Sequence, residues 1–394
     1  MERIGIFGGT FNPVHMGHLR AAQYARQALQ LDKVLMIPAF RMPHKDIPAD
    51  DPTPWQRLEM LRLATASCSG LVPCDLEVNR ESISYTWETV EQVHRQYPDA
   101  KLYLLLGPDC YEKIDQWKNC QSIFSGAALA VLCRGEKDEL ARIAATQQGL
   151  QELGAETVVL ENPVTAIASS DLRRLIAFGC VPEQLPEEVA QYICDHGFYG
   201  CGRDYKNLSI DALEQVALSL LKPSRMAHVR GCKETAVALA RKYGANETDA
   251  ARAALLHDVT KALDGPLQLT LCRAYGTMLD AFSANNPKTL HALTGSLVAE
   301  RIFGENAAVV EAIRWHTTGK KDMDLLEKII YVADYMEPNR DFPGVETLRD
   351  LAYTDIDKAL KLGLQMTLDM LRQQQRQISP QSQEALAYLE SCGV

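Results

Sequence analysis

The chain has 394 residues, 46% hydrophobic and 23% charged, the balance of an ordinary soluble protein and not of a collagenous or disordered one. At ~100–200 residues per domain, that length predicts two or three domains. A net charge of −10 argues against nucleic acid as a partner, since phosphate backbones need a basic face, but it leaves room for small nucleotides.

In chain order, residues 3–7 read as a short apolar strand, followed by a glycine turn and a helix over 16–30. Residues 33–38 are the next strand, 53–67 a helix and 71–75 another strand. Further strands are expected at 101–106, 127–133 and 157–160, with helical stretches between them. Repeated strand–helix units with nearly continuous apolar strands predict an α/β doubly wound parallel sheet. A helix over 187–196 leads into GCGRDYKNL at 200–208, whose glycines and mixed charges mark a domain boundary. Beyond it the periodicity is helical: Leu213, Val216, Ala217, Leu220 and Leu221 form one stripe, and Leu325, Ile329, Ile330 and Ala333 another. The expectation is an α/β domain over 1–200 followed by an all-α domain over 208–394. The longest apolar runs are strand-length, short of the ~18 residues of a spanning helix. With no basic, extended apolar leader, the expected location is the cytoplasm and no membrane partner is expected. Eleven scattered cysteines without a CxxC pair read as reduced thiols filling core gaps.

The first cluster of chemistry follows the first strand: Gly8-Gly9-Thr10-Phe11-Asn12-Pro13-Val14-His15-Met16-Gly17-His18. Glycines at a strand-to-helix turn let backbone N–H groups approach an anion, and the helix N-terminus adds a favourable dipole. His15 and His18 can donate hydrogen bonds to phosphate oxygens and stabilise charge on a pentavalent phosphorus. No GK[ST] follows, so this is not a P-loop.

This stretch resembles the signature of the HxGH nucleotidyltransferase superfamily, and within it the nicotinate mononucleotide adenylyltransferases. The likeness extends in order over 1–200. Pro43-His44-Lys45 is similar to that family's phosphate-contacting loop, and Ser84-Tyr85-Thr86 to its nucleotide-contacting helix start. Gly107 and Asp109 follow the fourth strand, and Trp117 lies where the family stacks an indole on the pyridine ring. Arg134 follows the next strand, and Ser169-Ser170-Asp171-Leu172-Arg173 resembles the late turn that holds the triphosphate. That motif usually opens isoleucine-serine, whereas Ile167-Ala168 stands here, so one hydroxyl contact is missing. The resemblance implies adenylyl transfer from ATP, accompanied by Mg²⁺, to nicotinate mononucleotide. His15, His18, Lys45 and Arg173 would face the transferred charge. Gly8, Gly9, Thr10, Phe11, His44, Ser84, Tyr85, Thr86, Gly107, Asp109, Trp117, Arg134, Ser169 and Ser170 would bind substrate. A different phosphorylated metabolite as acceptor is the alternative.

The second cluster is helical: His228, His257-Asp258, His291, His316 and Asp334 must converge from separate helices, with the His257-Asp258 pair on a helix entering the core. Imidazole with carboxylate suits Fe²⁺, Mn²⁺, Zn²⁺ or Ni²⁺ better than Ca²⁺. The lack of cysteine in the set argues against a closed structural zinc site. An open metal position can bind phosphate and activate water. The ordered set, with YVADYMEPNR at 331–340, resembles the bacterial HD-domain hydrolases that split diadenosine tetraphosphate symmetrically into two ADP. That resemblance implies a divalent metal, iron first and manganese next, on His228, His257, Asp258 and Asp334. It puts His291, His316 and Lys261 in catalytic roles, the two histidines facing substrate phosphates or completing a second metal site, and Arg225, Tyr335 and Arg340 against a dinucleoside polyphosphate. A non-catalytic nucleotide-sensing module is the alternative.

Overall fold

The computed structural model describes residues 1–43, 51–135, 138–161 and 167–394. Close contacts divide the chain into one unit of Met1–Ala177 with Val181–Gly202 and another of Phe178–Cys180 with Arg203–Val394.

In the first unit six strands form one parallel sheet: β1 (Arg3–Gly9), β2 (Lys33–Pro38), β3 (Leu71–Pro73), β4 (Lys101–Leu106), β5 (Ala128–Leu132) and β6 (Thr157–Leu160). Their order is β3-β2-β1-β4-β5-β6, with Ile6 of β1 beside Leu35 of β2 and Leu104 of β4. The nearly unbroken apolar runs have a direct cause. Alternate residues enter two cores, with Val34, Met36, Tyr103, Leu105 and Ala130 in one and Leu35, Ile37, Leu102, Leu104 and Val131 in the other. Each fully buried Leu or Ile there contributes ~2 kcal/mol of transfer free energy. Strand order reverses between β1 and β4, so their carboxyl ends open the crevice in which such sheets hold ligands.

The expected doubly wound fold is present, with small differences at element ends. The first helix runs Met16–Ala28 and stops before 30 because Gln30 takes a left-handed φ of 51° on the way into β2. The helix expected at 53–67 is Pro54–Thr65, started by a reciprocal Thr53–Gln56 cap with proline at its first position.

The second unit is helical throughout its described regular structure. Its longer elements include Pro223–Tyr243, Glu247–Leu256, Leu290–Arg301, Ala307–Trp315, Leu325–Met336 and Ile356–Gln373. Asn246 and Asn306 cap two of them by accepting from backbone N–H groups of the first turn, and at the start of Leu325–Met336 the Glu327 carboxylate accepts from the Asp324 N–H at 2.7 Å. Ala253, Leu256, Ile313, Ile329, Ile330 and Leu364 are fully or almost fully buried. Among the described residues no helix is long and apolar enough to cross a membrane.

Candidate active sites

The turn after β1 is held from several directions. Arg57, wholly buried, donates from Nη1 to the Thr10 carbonyl (2.6 Å) and from Nη2 to those of Ala39 (2.6 Å) and Phe40 (3.3 Å). Arg173 donates to the Asn12 carbonyl at 2.6 Å, the Ser169 hydroxyl to Pro13 at 3.1 Å, and the Tyr199 hydroxyl to Asn12 Oδ1 at 2.6 Å. Residues 156 or more positions apart in sequence, Arg173 among them, are thereby fixed on the turn.

His15 and His18 stand with ring centroids 3.8 Å apart, and the His15 N–H donates to His18 Nδ1 at 3.3 Å. Phe11, buried at φ 46°, packs its ring edge-on to His18 at 5.0 Å. A side chain on Gly17 would stand 2.9 Å from His15 Nδ1, which explains the glycine between the imidazoles. Burial lowers His15 to about 4, and burial, with His15 and Arg134 beside it, holds His18 well below the usual histidine value. Both rings are therefore neutral near pH 7, each with one N–H to donate. His15 Nδ1 is buried and has no hydrogen-bond partner among the described residues.

The other expected residues line the carboxyl ends of the strands. The buried Ser84 hydroxyl accepts from Phe40 N–H at 2.9 Å, just past β2, and Tyr85 caps the helix that starts at Thr86. After β4, Asp109 accepts from Arg134 Nη1 at 2.8 Å, and a Cβ on Gly107 would come 2.9 Å from the same guanidinium. Trp117 is half-buried over the core that contains Leu104 and Ile123. Gly8 is exposed, and a Cβ there would meet nothing within 4 Å, so the crevice is open at that point. Ser170 lies in the first turn of the Ser169–Ala177 helix, whose start at Ala168 lacks a hydroxyl to cap it. His44 and Lys45 lie outside the described residues.

Two positioning residues carried no distinctive signal in sequence. Arg57 sits in the Pro54–Thr65 helix, where an arginine reads as a solvated surface charge. Glu139, 1% exposed, accepts with Oε2 from the N–H groups of Arg134 (2.8 Å) and Gly135 (2.9 Å). Arg57→Ala leaves three carbonyls without their charged donor, and the expected loss is about 3 kcal/mol. The first unit's denaturant midpoint measures it, and Arg57→Lys, able to reach fewer carbonyls, recovers only part.

In the second unit four imidazoles aim their Nε2 atoms at two carboxylates. His228 Nε2 lies 3.1 Å from Asp334 Oδ1, 3.8 Å from Asp258 Oδ2 and 3.3 Å from His257 Nε2. His257 Nε2 is 3.6 Å from Asp258 Oδ2 and 3.8 Å from Asp334 Oδ1. His291 and His316 approach Asp258 Oδ1 at 3.5 and 3.9 Å. Each ring is oriented through its other nitrogen: His257 Nδ1 meets the Ala254 carbonyl (2.7 Å), His291 that of Lys288 (2.9 Å), and His316 that of Ile313 (2.6 Å). His228 Nδ1 instead meets Glu337 Oε1 at 3.0 Å, and Glu337 Oε2 accepts from the N–H and Nδ2 of Asn339, both at 2.8 Å. A carbonyl or carboxylate behind each ring fixes the tautomer with Nε2 unprotonated, the form a metal needs.

Burial holds His257, His291 and His316 below the usual histidine value, His316 at about 4. Burial alone would push the Asp258 carboxyl up, but His257, Lys261 and His291 hold it below the carboxylate range. Four donors from His228, Cys232, His257 and Asp334 lie within 4.8 Å of one another, as do three from His257, Asp258 and His316. This donor set of imidazoles and carboxylates fits a divalent transition metal.

Cations ring the cluster. Arg225 donates to Asp258 Oδ2, and Arg340 donates to Asp334 Oδ1 at 2.7 Å. Lys261 Nζ is 2.7 Å from His291 Nε2 and 3.6 Å from Asp258 Oδ1. Tyr335 stacks on Tyr331 with centroids 6.4 Å apart.

Two expectations change. The His257-Asp258 pair does not lie within a helix: that helix ends at Leu256 with His257 as its cap, and His316 likewise caps Ala307–Trp315. The cluster is also not free of cysteine, because Cys232, one helical turn after His228, brings buried Sγ to 3.6 Å from His228 Nε2.

Gly231 fits closely against Glu337: a Cβ there would overlap Oε2 and stand 3.0 Å from Asn339 Nδ2. Gly231→Ala should displace Glu337 from His228 and weaken metal binding by about 10–100-fold, as read by metal titration. A pH dependence follows as well. In the metal-free protein, native His15 and His316 resist protons down to about 4, while the unfolded chain takes them up near 6.5. The stability they contribute is full above 6.5 and falls as pH drops towards 4, by up to about 1.4 kcal/mol per group per pH unit. Urea midpoints measured at pH 7 and pH 5 check the sign.

Residues 6–175 match the cytidylyltransferase-like family and residues 225–339 the HD domain family. The "Probable nicotinate-nucleotide adenylyltransferase" of Shewanella sp. (strain W3-18-1) is 38% identical over 197 residues, covering 46% of this chain and 90% of that protein. The protein of the same description from Desulfitobacterium hafniense (strain Y51) is 35% identical over 199 residues, covering 50% and 96%. Among solved structures, a predicted HD superfamily hydrolase involved in NAD metabolism from Clostridium acetobutylicum covers 47% of this chain and 98% of its own, at 36% identity and a TM-score of 0.46. With its first half the chain belongs to the nicotinate-nucleotide adenylyltransferase family, and it carries an HD domain in the same polypeptide.

Proposed function

We propose that the protein is bifunctional, with a 1–200 domain that makes a dinucleotide and a 208–394 domain that hydrolyses one. The first transfers AMP from ATP to nicotinate mononucleotide, giving nicotinate adenine dinucleotide and pyrophosphate. Identity of 38% with a protein of that description over 90% of its length supports this assignment. The acceptor's phosphate oxygen attacks the α-phosphorus in line, and pyrophosphate leaves with Mg²⁺. Such a transfer asks for positioning and charge stabilisation more than covalent chemistry. Gly8, Gly9, Thr10 and Phe11 form the floor under the phosphates. His15, His18 and Arg173 hold the triphosphate with Ser169 and Ser170, while Lys45 faces transferred charge and His44 binds substrate phosphate. Ser84, Tyr85, Thr86, Gly107, Asp109 and Arg134 contact nucleotide, and Trp117 offers the flat surface for nicotinate.

The second domain hydrolyses diadenosine tetraphosphate symmetrically to two ADP. The observation that carries this reading is the convergence of four Nε2 atoms on Asp258 and Asp334 inside a ring of Arg225, Lys261 and Arg340. His228, His257, Asp258 and Asp334 would hold a divalent metal, iron first, and that ion supplies a Lewis acid and an activated water. His291, His316 and Lys261 face the scissile phosphates, while Arg225, Tyr335 and Arg340 bind the rest of the substrate. The location proposed for both activities is the cytoplasm.

Purified protein is given ATP, Mg²⁺ and nicotinate mononucleotide in one assay, and Mn²⁺ or Fe²⁺ with diadenosine tetraphosphate in another. Absence of dinucleotide overturns the first assignment. ADP no higher than that of a His257→Ala, Asp258→Ala control overturns the second.

A further inference from the structure

Cys194 and Cys201 sit with their Sγ atoms 2.8 Å apart, inside van der Waals contact for two sulfurs. Among the described residues no other pair of thiols makes such a contact. A disulfide needs ~2.0 Å, so the sulfurs would have to close by about 0.8 Å. The approach is built by the backbone. The Glu187–Asp195 helix ends beside Cys194, and Gly197, Tyr199 and Gly200 then take left-handed φ values of 64°, 56° and 76°. Three left-handed residues in four fold the chain back, closed by Gly197 N–H to the Cys194 carbonyl (3.2 Å) and Cys201 N–H to that of Phe198 (3.0 Å). The segment so folded carries Tyr199, whose hydroxyl holds Asn12 of the phosphate turn.

We propose that Cys194 and Cys201 are a redox modification site, converted to a disulfide by a low-molecular-weight disulfide such as glutathione disulfide. Cys194 is exposed and Cys201 half-buried, and burial together with Cys194 pushes the Cys201 thiol up to about 12. Cys194 is thus the first nucleophile. Its thiolate attacks one sulfur of glutathione disulfide and expels a glutathione thiolate, leaving a mixed disulfide. With the neighbouring thiol consumed, Cys201 gives up its proton, attacks the Cys194 sulfur and expels the second glutathione. Two protein thiols lose two electrons, the external disulfide gains them, and both thiol protons end on glutathione. The bond pins the strap that bears Tyr199 against the phosphate turn.

The full-length protein is equilibrated with glutathione disulfide, alkylated, digested and mapped by tandem mass spectrometry. The expected product is a peptide two mass units light, with Cys194 and Cys201 linked and unalkylated. Cys201→Ser should stop at a glutathione adduct on Cys194, and Cys194→Ser should give no linkage. Oxidation should also raise the first unit's unfolding midpoint by about 5 °C, a shift lost in both variants. Full alkylation of both cysteines under a large excess of glutathione disulfide overturns the proposal, as does a linkage that joins either to another cysteine. An unchanged midpoint in a linked protein overturns the strap.

Discussion

Asp258→Asn is expected to reduce metal-dependent hydrolysis by the second domain about 10³-fold or more in kcat/KM, equal to ~4 kcal/mol of transition-state stabilisation. Adenylyl transfer should be unchanged. Both carboxylate oxygens are in use: Oδ2 faces His228, His257 and Arg225, while Oδ1 faces Lys261, His291 and His316. The amide keeps the shape but loses the charge that offsets two cations, and it turns an N–H₂ donor towards imidazole lone pairs or a metal. Metal content measured by mass spectrometry should fall together with ADP production. Asp334→Asn should behave similarly, because Asp334 Oδ1 faces His228, His257 and Arg340. Hydrolysis above about a tenth of wild type, with metal retained, would place the reaction elsewhere in the fold. The ratio of the two activities in one preparation guards against general misfolding, since both are read from the same polypeptide.

Much of this architecture is legible in the sequence because the physics that sets it is local or dense. A parallel sheet buried on both faces must be written in unbroken apolar residues, so its central strands stand out, as at 33–38 and 101–106. GGTFNPVHMGH is contiguous, and the metal-type histidines are rare enough residues for their gathering to show. What sequence hides is orientation across long separations. Glu337 lies within the quoted YVADYMEPNR, yet its partner His228 is 109 positions away, and nothing marks one carboxylate of that stretch as the support for a ring. Arg57 is hidden for a related reason. An arginine on a helix is ordinarily a solvated charge, and only the buried carbonyls of Thr10, Ala39 and Phe40 make it a clamp. Cys232 reads as a gap-filling thiol. Its i+4 spacing from His228 could have flagged it, since on one helix that spacing stacks two side chains on the same face.

His18→Ala should cost adenylyl transfer about 10²–10³-fold in kcat, the loss that follows removal of one preorganised donor from a developing negative charge. His18 Nδ1 accepts from the His15 N–H, so the neutral ring carries its proton on Nε2, the one donor it can offer a phosphate. Phe11 packs edge-on against the ring and His15 lies over it at 3.8 Å, so its aim is set before substrate arrives. Removal takes both the donor and the cap on the His15 N–H. His18→Asn, which retains an N–H₂ and an acceptor, should recover part of the rate. Gly17→Ala acts on the same pair while leaving both imidazoles in place in the sequence. Its Cβ, 2.9 Å from His15 Nδ1 and 3.0 Å from Cε1, must displace the ring whose Nδ1 has no partner among the described residues. If the histidines act on the transition state, Gly17→Ala and His18→Ala both lower kcat while KM for nicotinate mononucleotide stays within a few-fold. If instead they serve only to hold ATP, KM for ATP rises and kcat at saturation is kept. That split, read from one set of initial-rate measurements with hydrolysis by the second domain as the internal reference, separates charge stabilisation from binding at this turn.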